Sequence, residues 1–309
     1  MIVWGGVDPS QLSAHRNGMA DGAAYNPTSN SWQQLPNGPL SGRDTPLSVW
    51  TGSEVVVLGG ISGSGDDYTD AAAFDPKAWT WRSLSLPQPP AGHPLRWRAA
   101  VFADNQLLAW SDWAMSPRAG PGGYTEGADL FSFSPDQHTW RLVPSSPAAL
   151  PDVEDAIVAD SQVILRGLPT AMCNRCIGRP FVTEATALYN PVTMAWFRLP
   201  PDPLGGDYYG SAWTGAALFS FNPMAMIGIS GPSGTEVITV PPGAASAYDP
   251  STDQWERLPT APVGCAGSSE SSLWTGLAFA VSCSELFTKS SFSSPAIAVA
   301  GFGLIFEVS

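Results

Sequence analysis

The feature that most constrains the fold of this chain is a short motif that occurs five times. Each copy has an aromatic residue, a polar or small residue and a proline, followed by a tryptophan seven positions after the aromatic residue. The copies are Tyr25-Asn26-Pro27 with Trp32, Phe74-Asp75-Pro76 with Trp81, Phe133-Ser134-Pro135 with Trp140, Tyr189-Asn190-Pro191 with Trp196, and Tyr248-Asp249-Pro250 with Trp255. A period of about 50 to 60 residues is typical of repeat proteins that build one sheet per repeat.

Each repeat divides into four strand-like runs. In the second repeat the runs are TPLSVWT, EVVVLGG, DAAAFDP and TWRSL. Their alternating apolar residues bury one face against the next sheet, and the Asp-Pro or Asn-Pro step before a polar tripeptide is typical of a turn between the third and fourth strands. The sequence therefore predicts an all-β fold of four-stranded antiparallel blades, repeated around an axis.

Composition agrees with many short strands and excludes some functions. The 309 residues include 31 glycines and 30 prolines, and 13% are charged, which favours tight turns over long amphipathic helices. A formal net charge of −13 repels phosphate backbones and argues against nucleic-acid partners. No run approaches the roughly 18 apolar residues that cross a bilayer, so no membrane span is predicted.

The repeats resemble those of the kelch family, whose blades carry a diglycine at the end of the second strand and a spaced tyrosine and tryptophan later. Gly5-Gly6 and Gly59-Gly60 match this pattern, whereas Ser111-Asp112 and Gly167-Leu168 replace the diglycine in the third and fourth repeats. A recurring Trp-Thr-Gly at Trp50, Trp213 and Trp274 is similar to bacterial repeats of this kind. The resemblance implies a kelch-type β-propeller of the galactose-oxidase-like superfamily.

We expect one propeller domain over residues 1–309, with six blades. The repeats span approximately residues 1–36, 45–87, 97–144, 155–200, 210–259 and 269–309. The sixth lacks the proline and the tryptophan, and the first lacks its own first strand. Either the last strand, Leu304 to Val308, fills that place or an upstream segment does; no targeting segment is visible at the start.

In a propeller, the first strand of each blade lines the central channel, and long loops open on one face. Those loops join second to third strands: Val7 to Ala20, Ile61 to Thr69, Ala114 to Gly127, Pro169 to Thr183, Gly231 to Pro242 and Ser284 to Ser294. Polar residues that enter the first strands are expected at the funnel mouth: Arg43, Asp44, Arg96, Arg98, Glu154, Asp155, Asp207, Tyr208, Ser269 and Glu270.

These charges have two interpretations. In one, Arg43, Arg96 and Arg98 bind a carboxylate or sulfate, while Glu154, Asp155 or Asp207 acts as general acid or base. In the other, the charges pair across blades and satisfy one another.

Trp97 and Trp113 lie outside the repeated tryptophan positions. Either could stack on a sugar ring, and Trp97 could equally cap the core.

No cofactor and no catalytic metal are predicted. The histidines are His15, His93 and His138, and His138 falls in a tight turn on the face opposite the other two. A copper radical oxidase, which shares the propeller fold, needs two His, two Tyr and a cross-linked Cys, and no such set can be assigned. Calcium at Asp66, Asp67 and Asp70 is an alternative to a solvated turn.

The four cysteines form two sequence pairs. Cys265 and Cys283 flank the first two strands of the sixth repeat, so antiparallel pairing predicts a disulfide. Cys173 and Cys176 form a CxxC in one loop, which is a loop disulfide, half a metal site or a redox pair. Pairable cysteines favour an extracellular or cell-envelope location.

The sequence therefore favours a binding module for a glycan or a protein, acting through the long-loop face. The alternative is a carbohydrate-active enzyme, such as a lyase, epimerase or hydrolase, that uses the carboxylates and arginines of the funnel. Fold alone does not decide between them.

Overall fold

A computed structural model describes residues 1–7, 18–115, 125–144, 152–168, 185–204, 210–222, 226–230, 236–240, 243–260, 269–274, 278–283 and 304–307. Throughout these residues the secondary structure is β-strand and turn, without helix. The all-β prediction is thus confirmed. Among the same residues, none forms a helix of the length and apolarity that crossing a membrane requires.

The chain divides into two compact units. One comprises Met1–Ala156 with Asn190–Ala195, and the other Ile157–Tyr189 with Trp196–Ser309. The first unit contains three sheets. Sheet 1 has β1 (Ile2–Trp4), β2 (Gly22–Asn26) and β3 (Ser31–Gln34); sheet 2 has β4 (Leu47–Trp50), β5 (Val55–Leu58), β6 (Ala71–Asp75) and β7 (Thr80–Ser83); sheet 3 has β8 (Trp97–Ala103), β9 (Gln106–Met115), β10 (Thr125–Ser134) and β11 (Thr139–Val143).

The later repeats form three further sheets and one hairpin. Sheet 4 has β12 (Asp152–Ala159), β13 (Gln162–Leu168), β14 (Ala185–Asn190) and β15 (Ala195–Arg198). Sheet 5 has β16 (Gly210–Trp213), β17 (Leu218–Asn222), β20 (Ala244–Asp249) and β21 (Gln254–Leu258), and the separate hairpin of β18 (Met226–Ser230) and β19 (Glu236–Val240) lies between β17 and β20 in the sequence. Sheet 6 has β22 (Ser269–Trp274), β23 (Ala278–Cys283) and β24 (Leu304–Glu307). Sheets 2 to 5 each place their four strands in chain order, as the repeat predicts.

The spacing of seven residues in the motif arises from the hairpin between the third and fourth strands. In sheet 2, Phe74 lies directly opposite Trp81, and the two ring centroids are 5.1 Å apart. The other motif pairs have the same tilted geometry, at 5.2 Å (Tyr25 and Trp32), 5.0 Å (Phe133 and Trp140), 4.5 Å (Tyr189 and Trp196) and 5.4 Å (Tyr248 and Trp255). Each such pair stabilises the fold by about 0.5–1.5 kcal/mol in addition to the stabilisation from burying its apolar surface.

The motif also determines the turn inside that hairpin. The carboxylate of Asp75 accepts hydrogen bonds from the backbone N–H of Lys77 (2.7 Å) and Ala78 (3.1 Å), and these bonds lower the pKa of Asp75. Equivalent side-chain bonds form at Asn26, Ser134, Asn190 and Asp249. The polar residue before proline is therefore the cap of the turn.

Four positions after the cap, every motif turn contains a residue in the left-handed conformation. These residues are Asn30, Trp79, His138, Met194 and Asp253, with φ between 50° and 58°. Such a conformation is costly for residues other than glycine, and it recurs at the same position in all five turns.

Tryptophans of the motif also join consecutive sheets. The indole Nε1 of Trp81 donates to the carbonyl of Pro36, which follows sheet 1, at 3.0 Å. Trp140 donates to Ser85 O, after sheet 2, at 2.6 Å, and Trp255 donates to Pro200 O, after sheet 4, at 2.8 Å. Each of these sheets is therefore attached to the connection that follows the preceding one.

Sheet 2 is buried on both faces. Val57 of β5 packs with Leu40 and Ala72 beside Trp4 of sheet 1, whereas Val56 and Leu58 belong to the core shared with sheet 3. Alternation along β5 sends successive side chains to opposite faces, which explains why this strand is apolar throughout. In the second unit, sheets 4 and 5 enclose an equivalent core.

The diglycines end their strands, and their replacement lengthens the third repeat. Gly59 and Gly60 have φ of 65° and 93°, and a Cβ on Gly60 would lie 2.7 Å from the carbonyl oxygen of Asp44. Ser111 and Asp112 instead continue β9 as regular strand, and its ladder with β10 extends to the pair Met115 and Thr125. Asp112 thereby brings a carboxylate to the position that glycine occupies in the second repeat.

One boundary differs from the sequence prediction, and one strand pairing that the sequence left open is now described. In the fifth repeat the second strand is β17, and Met226–Ser230 and Glu236–Val240 form the separate hairpin β18–β19, so the expected loop from Gly231 to Pro242 includes a strand of that hairpin. Apolar alternation alone did not distinguish an inserted hairpin from the repeat's own strand. In addition, β24 pairs with β23 as the third strand of sheet 6.

The left-handed turn position can be tested at His138, an exposed residue with φ of 55°. We expect His138→Gly to raise the free energy of unfolding by about 0.5–1 kcal/mol, because glycine adopts positive φ without steric cost. The control is Gln137→Gly in the same turn, which adds only chain entropy and should lower stability. Denaturant unfolding measures both variants, and stabilisation by the control would contradict the interpretation.

Candidate functional site

Two arginines and two aspartates form a partly exposed cluster where sheet 3 begins. We call Asp67, Arg96, Arg98 and Asp112 the Arg/Asp cluster. Nε of Arg96 donates to Asp67 Oδ2 at 2.9 Å and lies 3.7 Å from Asp112 Oδ1, while Nε of Arg98 donates to Asp112 Oδ2 at 2.8 Å. Nη1 of Arg98 lies 3.6 Å from Asp67 Oδ1. The side chains of Arg96 and Arg98 are 37% and 28% exposed, so both are partly open to solvent.

Backbone pairing fixes the position of this cluster. The N–H of Asp112 donates to Arg96 O at 3.1 Å, and Ser111 Oγ accepts from Arg96 N at 2.7 Å. A register irregularity between Trp97 and Ala99 interrupts the ladder of β8 with β9. Asp67 reaches the cluster from the loop after β5, where its backbone bridges to Ile61.

Arg43 is structural in this fold. Its side chain is completely buried, and its guanidinium donates to Asp70 Oδ1 (2.6 Å) and Oδ2 (3.1 Å), to Gly59 O and to Ser41 O (both 2.9 Å). The guanidinium carbon also lies 4.2 Å from the ring centroid of Tyr68. A ligand would have to displace these contacts, so Arg43 joins sheets 1 and 2 instead of facing solvent. Asp44 follows in the same segment, and its backbone exchanges two 2.9 Å hydrogen bonds with Ile61.

The two tryptophans outside the motif have different environments. Trp97 is 5% exposed, stacks on Trp140 with ring centroids 5.6 Å apart, and donates from Nε1 to Thr69 O at 2.8 Å. It therefore belongs to the core, which was one of its two sequence interpretations. Trp113 is half-buried and packs against Gly127, where a Cβ would come within 2.6 Å of the indole.

Trp113 stacks on a histidine that is paired with an aspartate. The ring centroids of Trp113 and His93 are 4.0 Å apart at 24°, and His93 Nδ1 lies 2.7 Å from Asp129 Oδ2. In the neutral ring with its proton on Nδ1, that N–H donates to the carboxylate and Nε2 is an acceptor. A histidine oriented in this way can act as a general base.

The three aspartates proposed as a calcium site do not converge. Asp66 accepts from Ser64 Oγ at 2.6 Å, Asp67 pairs with Arg96, and Asp70 pairs with Arg43. Within the described ranges, no group of three or more His, Cys, Asp or Glu side chains is arranged to hold a metal ion.

The remaining candidates are only partly visible or lie outside the described residues. Asp207, Tyr208, Cys173, Cys176 and Cys265 are outside them. The backbones of Glu154, Asp155, Glu270 and Cys283 lie in strands, and of these four only the Asp155 side chain, half-buried, is described. Their roles, both disulfides and the extracellular location that the cysteines favour stay predictions.

The sequence interpretation missed Asp129, the partner of His93. Asp129 could have been found as a charged residue in the apolar run ADLFSF, and such a residue usually has a buried partner. The second unit contains another missed group: Arg166 is 1% exposed and donates to Ser211 and Ser220, while its Nη2 lies 3.5 Å from Asp202. Ser246 donates to that same carboxylate at 2.9 Å. This buried set joins sheets 4 and 5.

No protein-family model matches this chain, and no curated protein sequence matches it. Membership of the kelch-repeat family therefore remains a proposal that the repeat motif supports.

The structural role of Arg43 predicts that its partner matters for stability. We expect Asp70→Ala to lower the free energy of unfolding by about 1.5–3 kcal/mol, because the completely buried Arg43 guanidinium loses its charged acceptor, although Asp70 itself is 46% exposed. Glu54→Ala is the matched control, since its partner Arg82 is 33% exposed and should cost about 1 kcal/mol or less. Equal losses in denaturant unfolding would show that Arg43 is not a buried anchor.

Proposed function

We propose that the chain is a six-bladed kelch-type β-propeller that acts as a glycan-binding module through the Arg/Asp cluster. The propeller is supported by five copies of one hairpin, by sheets with their strands in chain order, and by sheet 2, which is covered on both faces. The tryptophan bonds between one sheet and the preceding connection support a repeated blade-to-blade contact.

The observation that carries the binding function is that Arg96 and Arg98 are oriented by carboxylates and yet remain accessible. Asp67 and Asp112 hold each guanidinium through Nε, which reduces the entropy lost when a ligand binds. Side chains that are ordered before binding and partly exposed are characteristic of recognition surfaces.

A ligand with many hydroxyls fits this cluster better than an anion. The cluster has equal numbers of positive and negative side chains, so it presents N–H donors beside carboxylate acceptors without a net charge. Each sugar hydroxyl can accept from an arginine and donate to an aspartate. A carboxylate or sulfate, by contrast, would be repelled by Asp67 and Asp112, so the anion expected from the sequence is the less favourable ligand.

A glycan array followed by titration tests this function. We expect Arg96→Ala and Arg98→Ala each to weaken binding of the selected glycan about tenfold or more, because each removes a charge-assisted hydrogen bond. The matched control is Arg82→Ala, since Arg82 is 33% exposed and its partner Glu54 is 17% exposed, as Asp112 is. Thermal unfolding confirms that all three variants fold.

Two results would contradict the glycan proposal. One is a wild-type protein that binds no glycan on the array. The other is binding that Arg82→Ala weakens as much as the cluster variants do. A protein ligand captured through Arg96 and Arg98, without any glycan, would shift the function to the protein-binding alternative.

A carbohydrate-active enzyme is the second candidate, and the pairing of His93 with Asp129 favours it. Their 2.7 Å contact supplies an oriented base, the role that the sequence assigns to Glu154, Asp155 or Asp207. Asp129 is 9% exposed and His93 is 15% exposed, so a substrate would have limited access to the histidine. That limited access is why we rank binding without turnover first.

Turnover distinguishes the two candidates. We expect the protein to leave the bound oligosaccharide chemically unchanged, as followed by mass spectrometry over several hours. Product formation that is lost in His93→Gln but kept in His138→Gln, a histidine in an exposed turn, would establish the enzyme instead.

A further inference from the structure

One asparagine differs from the others that the structure describes, because its side chain and the next backbone N–H are both unoccupied. Asn37 is exposed and is followed by Gly38, which is half-buried. Within the described ranges, neither the side-chain amide of Asn37 nor the N–H of Gly38 forms a hydrogen bond. Because the two groups belong to neighbouring residues, they can react with each other.

The other described asparagines lack this combination. Asn26, Asn190 and Asn222 each precede a proline, which has no N–H. The Oδ1 atoms of Asn26 and Asn190 also accept backbone N–H bonds in their turns. Asn30 accepts a tyrosine hydroxyl at 2.8 Å, and Asn105 donates to an aspartate at 3.3 Å. Their amides are therefore either bonded or without a neighbouring nitrogen that can attack.

An asparagine that precedes a glycine can lose its amide nitrogen. The backbone nitrogen of Gly38, once it has given up its proton, attacks Cγ of Asn37 and forms an N–C bond. The Cγ–Nδ2 bond breaks, and the displaced nitrogen takes up a proton and leaves as ammonia. Water then opens the five-membered succinimide at one of its two carbonyls, which gives aspartate or isoaspartate. Glycine favours the attack because it has no side chain to shield its nitrogen, and asparagine is a thermolabile residue.

The reacting residues lie where sheet 2 is attached to the connection after sheet 1. Trp81 donates from Nε1 to Pro36 O at 3.0 Å, and a Cβ on Gly38 would lie 3.1 Å from the Trp81 ring. The two residues that flank Asn37 therefore both contact one indole. In isoaspartate the main chain runs through Cβ and Cγ, which lengthens the backbone by one atom between these two contacts.

We propose that Asn37 is a site of spontaneous deamidation, and that its isoaspartate form weakens the attachment of Trp81 to the connection after sheet 1. Three described connections accept a hydrogen bond from a motif tryptophan, at Pro36, Ser85 and Pro200. Of these three, only the first contains an Asn-Gly step. The link between sheets 1 and 2 is therefore the one that changes as the protein ages. This proposal is independent of the glycan site.

Peptide mapping by mass spectrometry tests the modification. The full chain is incubated in neutral buffer at physiological temperature and sampled over weeks. We expect the peptide that contains Asn37 to gain about 1 Da, as NH₂ is replaced by OH, and to do so faster in alkaline buffer, since the attacking nitrogen must lose its proton. The peptide that contains Asn105 is the internal control, because that residue is also exposed but is hydrogen-bonded and precedes Gln106. Asn17, which also precedes a glycine, lies outside the described residues and is followed on its own peptide.

Variants connect the modification to the attachment of Trp81. Asn37→Gln would have to form a less favourable six-membered ring and should stay unmodified. We expect aged wild-type protein to unfold at a lower denaturant concentration than fresh protein, and aged Asn37→Gln to lose clearly less. Changes at other asparagines occur in both proteins, so the difference isolates residue 37. Fresh Asn37→Asp has the new charge without the longer backbone and should unfold as the fresh wild type does, because residue 37 is exposed.

The modification is contradicted if the Asn37 peptide keeps its mass, or if the Asn105 peptide changes as fast. The effect on Trp81 is contradicted if aged wild type and aged Asn37→Gln lose equal stability. It is also contradicted if fresh Asn37→Asp is already as unstable as the aged wild type, since the charge and not the backbone length would then be responsible.

Discussion

The structure depends on the contact between a motif tryptophan and the aromatic residue opposite it. That pair fixes the register of the last hairpin in each repeat, and a one-residue slip would send every side chain to the other face. The same indole donates to the carbonyl that follows the preceding sheet in three of the described repeats. One side chain therefore sets both the order within a sheet and the attachment between sheets.

Much of the fold was predictable because the determinants are local. The motif spacing implies the hairpin, the residue before proline implies the turn cap, and the diglycine implies positive φ. What local patterns do not contain is pairing between distant segments. Apolar and polar residues alternate in the inserted hairpin β18–β19 as they do in a strand of the repeat, so only the strand it pairs with distinguishes it. For the same reason the sequence did not determine which strand β24 pairs with.

The candidate site was predictable only by region. The sequence places Arg43, Arg96 and Arg98 at equivalent positions, where the first strand of a repeat begins. It does not show which of them is buried, because burial depends on neighbours far along the chain. Arg43 meets Asp70 and Tyr68 and becomes completely buried, whereas Arg96 meets Asp67 and remains 37% exposed. His93 and Asp129 are 36 residues apart, and nothing in the spacing indicates that they touch.

The repeat that keeps the diglycine and the repeat that carries the candidate site are different ones. Where the second repeat keeps Gly59-Gly60, the strand ends and the backbone of Asp44 closes against it, which leaves no room for a side chain. Where the third repeat has Ser111-Asp112, the strand continues, Asp112 orients Arg98, and Trp113 follows to stack on His93. Without the two glycines the third repeat lacks the turn that ends the second strand, but it gains the carboxylate of Asp112 and the indole of Trp113. Natural proteins usually break a local rule where a site requires it, and this departure lies where the accessible charged side chains are.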